Sequence, residues 1–101
     1  VRQTRFLRAA EAEADEAVAY FDEQRPGLGD RFEQELTDAL EVLKQFPRSG
    51  KPLTTLVRKL RLRTFRYNLV YVANDNEVVI VAVAHHRRHP DYWQSRLFPI
   101  H

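Results

Sequence analysis

Apolar and polar positions repeat with two different periods along this chain, and the switch between them divides it into a helical half and a strand half. Residues 57–63 alternate: Leu60 and Leu62 fall on one side, Lys59, Arg61 and Arg63 on the other. A period of two puts every second side chain on the same face of a sheet, so this strand has one apolar and one cationic face. Residues 67–73 are apolar on both faces, and residues 77–84 read VVIVAVA after Glu77. Such strands lie mid-sheet with both faces covered. Asn74, Asp75 and Asn76 tolerate left-handed turns and join these two strands as a hairpin. Val79, Val81 and Val83, or Val78, Ile80 and Ala82 on the other parity, form the expected sheet centre. Residues 64–66 hold neither Gly nor Pro, a weak turn signal.

The earlier half has the helical period. Ala14, Ala17, Val18 and Phe21 share one face of an expected helix over residues 9–24. Glu11, Glu13, Asp15 and Glu16 crowd its opening turns, where the helix dipole favours negative charge. Arg25-Pro26-Gly27 ends it. A second helix, beginning between Leu28 and Asp30, buries Phe32, Leu36, Ala39, Leu40 and Leu43, with Asp30 and Glu33 in capping-box spacing and Phe46-Pro47 as its stop. Residues 3–8 form a short expected strand, paired beside the apolar third strand of the meander. Residues 48–52 read as a loop, and Pro90 with Asp91 opens a short C-terminal helix. The fold class is therefore α+β: a short first strand, a helical hairpin packed on a largely antiparallel sheet, then a last helix, in the order β-α-α-β-β-β-α. All 101 residues form a single domain.

Composition narrows the function classes. Hydrophobic residues make up 44% and charged residues 30%, as in ordinary globular proteins. No apolar run is long enough to span a bilayer, so no membrane role is expected and a cytoplasmic location is the default. Cysteine is absent, which excludes disulfides and thiolate metal sites. The net charge of +2 hides an asymmetry: residues 1–50 carry seven Lys and Arg against eleven Asp and Glu, residues 51–101 nine against three. One surface thus faces a polyanion or an acidic partner.

Two constellations carry the candidate chemistry. Lys59, Arg61 and Arg63 suit a phosphate backbone or an acidic segment, while the same residues also defend an edge strand against pairing. His85, His86 and His89 have close spacing, but Arg87 and Arg88 lie between them and repel a cation, so no metal and no cofactor is expected. An imidazole, guanidinium groups and Tyr92 at a strand end are parts of an RNA-cleaving site: a base, a stabiliser of the phosphorane and an acid. Trp93 and Leu97 are better explained as packing on the sheet. The chain has no Gly-rich phosphate loop and no nucleophile elbow.

The segments EAVAYFDEQRPGLGDRFEQEL, VRKLRLRTFRYNLVY and VAVAHHRRHPDYW, with the Phe46-Pro47 exit, resemble the RelE/ParE superfamily of toxins from bacterial type II toxin–antitoxin systems. The resemblance covers nearly the whole chain. It implies a cognate antitoxin and a hetero-oligomer with it, with Lys59, Arg61 and Arg63 as the antitoxin-facing set. ParE-like members inhibit DNA gyrase; for that function Arg87, Arg88, Tyr92, Trp93 and Arg96 are the expected target-binding residues. RelE-like members are ribosome-dependent mRNA endonucleases, for which Lys59, Arg61, His85, Arg87 and Tyr92 would be catalytic on the ribosome. The helical-hairpin wording, the HHRRHPDYW ending and the mild positive charge favour the ParE-like reading.

Overall fold

The computed structural model describes residues 2–100. The elements run β1 (Gln3–Phe6), α1 (Arg8–Gln24), α2 (Leu28–Gln45), β2 (Lys51–Pro52), β3 (Val57–Arg61), β4 (Tyr67–Ala73) and β5 (Glu77–His85), followed by a 3-10 helix at Gln94–Ile100. Five strands make one sheet in the order β1-β5-β4-β3-β2. The apolar β5 lies between β1 and β4, as its lack of polar positions requires. β1 pairs with it in parallel, and the remaining pairs are antiparallel. Parallel neighbours cannot be joined by a tight turn, and here the helical hairpin and the meander lie between them in the chain.

The sheet carries a core on each face. On one, Ala10, Ala14, Ala17, Phe32, Leu36 and Leu43 of the helices meet Leu69, Tyr71, Val78, Ile80 and Val83. On the other, Val57, Val70, Val81 and Ala82 pack around Trp93, which is 2% exposed. The C-terminal segment, not a second pair of helices, therefore covers the far face. A single alternation along β5 does not hold. Val70 pairs with Ala82 but Tyr71 pairs with Ile80, so Val81 is the extra residue of a β-bulge. Val78, Ile80 and Val83 face the helices, while Val81 and Ala82 both join the Trp93 core.

Several local expectations need correction. β3 ends at Arg61, so the alternation that was to place Arg63 beside Lys59 and Arg61 stops short of it. Residues 51 and 52 form a two-residue edge strand inside what reads as a loop, paired with Lys59 and Arg58. The capping box at Asp30 and Glu33 does not form. α2 starts at Leu28, with Gly27 as its N-cap at φ 89°, a left-handed conformation that suits glycine. Its Gly29 N–H is taken by the Asp22 carboxylate of α1 at 2.8 Å. The C-terminal helix expected from Pro90 is a run of turns followed by the 3-10 helix. The turn at 64–66, which lacks Gly and Pro, is held from outside. The Glu35 carboxylate of α2 accepts the N–H groups of Thr64 at 2.9 Å and Phe65 at 3.4 Å.

Candidate target-binding surface

Of the first cationic constellation only Lys59 meets the second, at the end of β5. A cavity of about 150 Å³ is lined by Lys59 of β3, Asn68 of β4, and His85, Arg88, His89 and Tyr92 after β5. Val70, Ala84 and Trp93 form its apolar wall, and no Asp or Glu lines it. His86, Arg87, Arg88 and His89 are exposed, whereas Lys59 is half-buried. Arg61 and Arg63 lie elsewhere, in a groove of about 430 Å³ between β3 and α2 that Arg31, Glu35 and Asp38 also line. Among the described residues the ion pairs are Arg5–Glu77, Lys44–Glu41 and Arg96–Glu13, so Lys59, Arg87 and Arg88 have no carboxylate partner.

Tyr92 and Arg96 are tied to Glu13 of α1. Arg96 grips Glu13 with both guanidinium nitrogens, at 2.8 and 3.0 Å, and the Tyr92 hydroxyl donates to the same carboxylate at 2.8 Å. The Val83 N–H donates to it at 3.0 Å, and Arg96 donates to the Val81 carbonyl at 3.0 Å. β1 pairs with β5 only as far as Ile80. Beyond that point the ion pair supplies the partners that a longer β1 would have given to the edge of β5, and it clips the C-terminal segment to α1. The side chains of Glu13 and Arg96 are 13% and 20% exposed.

This setting moves the titrations. Burial pushes the Glu13 carboxyl up, but the hydrogen bonds from Arg96, Tyr92 and Val83, with the charge of Arg96, outweigh it and hold the carboxyl below its ordinary value. Burial and the bond to Glu13 drive the Tyr92 phenol far upward. Burial, with His86, Arg87 and Arg66 nearby, pushes the His85 imidazole down. The Arg87 N–H donates to His85 Nδ1 and the Asp91 N–H to His89 Nδ1, each at 3.2 Å. In the neutral form both rings therefore carry their proton on Nε2. Arg88 stacks on Tyr92, its guanidinium carbon 4.0 Å from the ring centroid.

Of the residues expected from sequence, the cavity gathers Lys59, His85, Arg88 and Tyr92, leaves Arg87 on the neighbouring surface, buries Trp93 and engages Arg96 internally. Glu13 was read only as a dipole partner. Its signal was present: it shares the i, i+3, i+4, i+7 stripe of Ala10, Ala14 and Ala17, where a carboxylate needs a buried partner.

A helical hairpin on this five-stranded sheet, with the C-terminal segment closing the far face, is the architecture of the RelE/ParE superfamily of toxins. A solved structure described as the chromosomal ParDE TA system from P. aeruginosa superposes with a TM-score of 0.71 at 17% identity, covering 83% of this chain and 95% of that one. At such identity the likeness speaks for the fold. The family model for the ParE toxin of type II toxin-antitoxin systems, parDE, matches residues 4–90, and the chain belongs to that family. It is 31% identical over 97 residues to Toxin ParE2 of Mycobacterium tuberculosis, in strains CDC 1551 / Oshkosh and H37Rv, covering 95% of this chain and 92% of each relative. It is thus the toxin component of a toxin–antitoxin system, a system that implies a cognate antitoxin. No helix of the described residues is long and apolar enough to cross a membrane.

Proposed function

We infer that this toxin acts by binding and inhibiting DNA gyrase, through the surface formed by Arg87, Arg88 and the Tyr92 ring, and that a cognate antitoxin neutralises it. Membership of the ParE family supports the target. The observation that favours binding over RNA cleavage is the state of Tyr92. Its hydroxyl already donates to Glu13 at 2.8 Å, and its proton is held far more tightly than in a free phenol. A general acid must release its proton to the leaving oxygen near neutral pH, and Tyr92 is poorly placed to do so. Arg87 and Arg88, exposed and without carboxylate partners among the described residues, suit the Arg-rich anchors of a protein interface.

Expression in cells lacking the antitoxin tests this reading. A DNA damage response without early translation arrest is expected. Arg87→Ala or Arg88→Ala should weaken toxicity, a true anchor costing about 2 kcal/mol of binding or more. Tyr92→Phe keeps the ring under Arg88 and should remain toxic. If Tyr92→Phe or His85→Ala abolishes toxicity in a folded protein, the nuclease reading takes its place.

A further inference from the structure

We propose that a cavity on the far face of the sheet, between Trp93 and the row of Val57, Val72 and Val79, binds a small neutral molecule. Its class is a flat apolar body carrying a hydrogen-bond acceptor, as in an aromatic ketone or ester. The inference is independent of gyrase inhibition and of the basic residues after β5. The floor of the cavity follows from register. Val57 of β3 pairs with Val72 of β4, Val72 with Val79 of β5, and Val79 with Arg5 of β1, so one row crosses four strands. Cross-strand partners share a face, and four strands span about 14 Å at the usual spacing. All four residues line a cavity of about 610 Å³, a volume typical of small-molecule sites. Trp93, packed on Val70, Val81 and Ala82, bounds the row on the side toward the end of β5. Thr54, Leu56 and Asn74 bound it on the other. Leu56 is 76% exposed, more than any other large apolar residue described, so this apolar surface is open to a ligand.

The rim decides the polarity of the ligand. Among the described residues lining the cavity, Arg5 is the one cation and Glu77 the one anion, and they pair with each other at 3.2 Å. A charged ligand would lose hydration here without gaining an uncompensated partner, which disfavours both signs. Hydrogen bonding then sets the direction. The Thr54 hydroxyl oxygen accepts the Leu56 and Val57 N–H groups at 3.2 and 3.0 Å. The Asn74 side-chain oxygen accepts those of Asn76 and Glu77 at 2.8 and 2.9 Å. Both residues thus have their oxygens engaged, while the Thr54 O–H and the Asn74 amide N–H groups donate to none of the described residues. A rim that offers donors takes an acceptor. A docked protein chain would also bring backbone N–H groups, for which these engaged oxygens have little capacity left. A carbonyl on an apolar body matches the site better.

The test follows the indole N–H resonance of Trp93, the single tryptophan of the chain, while the protein is titrated with three naphthalenes of similar outline. These are the neutral ketone acetylnaphthalene, the anion naphthoate and the cation aminomethylnaphthalene. The ketone should shift the Trp93 resonance and bind severalfold tighter than either ion. Leu56→Glu should weaken ketone binding severalfold, whereas Phe46→Glu, at another exposed apolar residue outside the cavity, should not. Asn74→Asp keeps an oxygen for the turn but removes the donor, and should also weaken the ketone. Glu77→Gln frees the Arg5 charge and should bring naphthoate up to the affinity of the ketone, a gain that damage to the fold would not produce. An unshifted Trp93, tighter binding of either ion to the unmutated protein, equal effects of Leu56→Glu and Phe46→Glu, unchanged ketone affinity in Asn74→Asp, or no gain for naphthoate in Glu77→Gln would each overturn the proposal. So would loss of ketone binding on adding the cognate antitoxin, which would assign the cavity to that protein. Toxicity and gyrase do not enter, so this result is read separately from theirs.

Discussion

Glu13 holds more of the molecule together than any other charged residue described. Its carboxylate accepts from Arg96, Tyr92 and the Val83 N–H, joining α1, the edge of β5 and the C-terminal segment. Glu13→Ala would leave a mostly buried guanidinium with the Val81 carbonyl as its remaining acceptor, and a strand N–H without its partner. We expect a loss of about 3 kcal/mol, because removing one member of a buried pair strands the other. Chemical denaturation would measure it. The pair also makes stability depend on pH. The folded-state pKa of Glu13 lies below its unfolded value, so its contribution is complete above the unfolded value and is lost as pH falls through the folded one. Replacing Glu13 with Gln should therefore flatten the acid limb of the stability profile, and an unchanged limb would show that other carboxylates set it.

At the scale of elements, Gly50 and Tyr71 fix how β2 and β3 meet the sheet. The Tyr71 hydroxyl donates to the Pro47 carbonyl at 2.6 Å and accepts the Gly50 N–H at 2.9 Å. A Cβ on Gly50 would lie 2.6 Å from that oxygen and 2.8 Å from the Lys59 carbonyl, and neither group can move freely. Gly50→Ala should cost about 2 kcal/mol by overpacking, and lower the melting temperature by roughly 10 °C in a domain of this size. Most elements were legible from periodicity: both helices, the meander and the central place of β5 follow from local residue order. What was not legible depended on distant partners. The turn at 64–66 is stabilised by Glu35, the start of α2 by Asp22, and the bulge at Val81 shows no local signal because both neighbours are apolar. Of the site, the basic residues were visible as two clusters, but only the folded sheet brings Lys59 to Arg88 and sends Arg61 and Arg63 to another groove.

For the whole molecule, the separation of two basic surfaces allows antitoxin and target to use different ones. The groove between β3 and α2 offers apolar Ala39, Val42 and Leu60 beside Arg61 and Arg63, with Glu35 and Asp38 also lining it. It suits a segment of an acidic, partly disordered antitoxin that orders on binding. Reversing the charge of Arg61 and Arg63 together should weaken antitoxin binding and reduce its salt dependence. Unchanged affinity would place the antitoxin elsewhere. With the antitoxin in the groove, the Arg87–Arg88 surface remains for the target. The most direct measurement of that role uses purified toxin in two reactions: DNA supercoiling by gyrase, and translation of a defined mRNA on ribosomes. Supercoiling should fall in proportion to added toxin, recover on adding antitoxin, and be spared by Arg88→Ala, while the mRNA stays intact. Cleavage of the mRNA in translating ribosomes, with supercoiling untouched, would contradict gyrase inhibition.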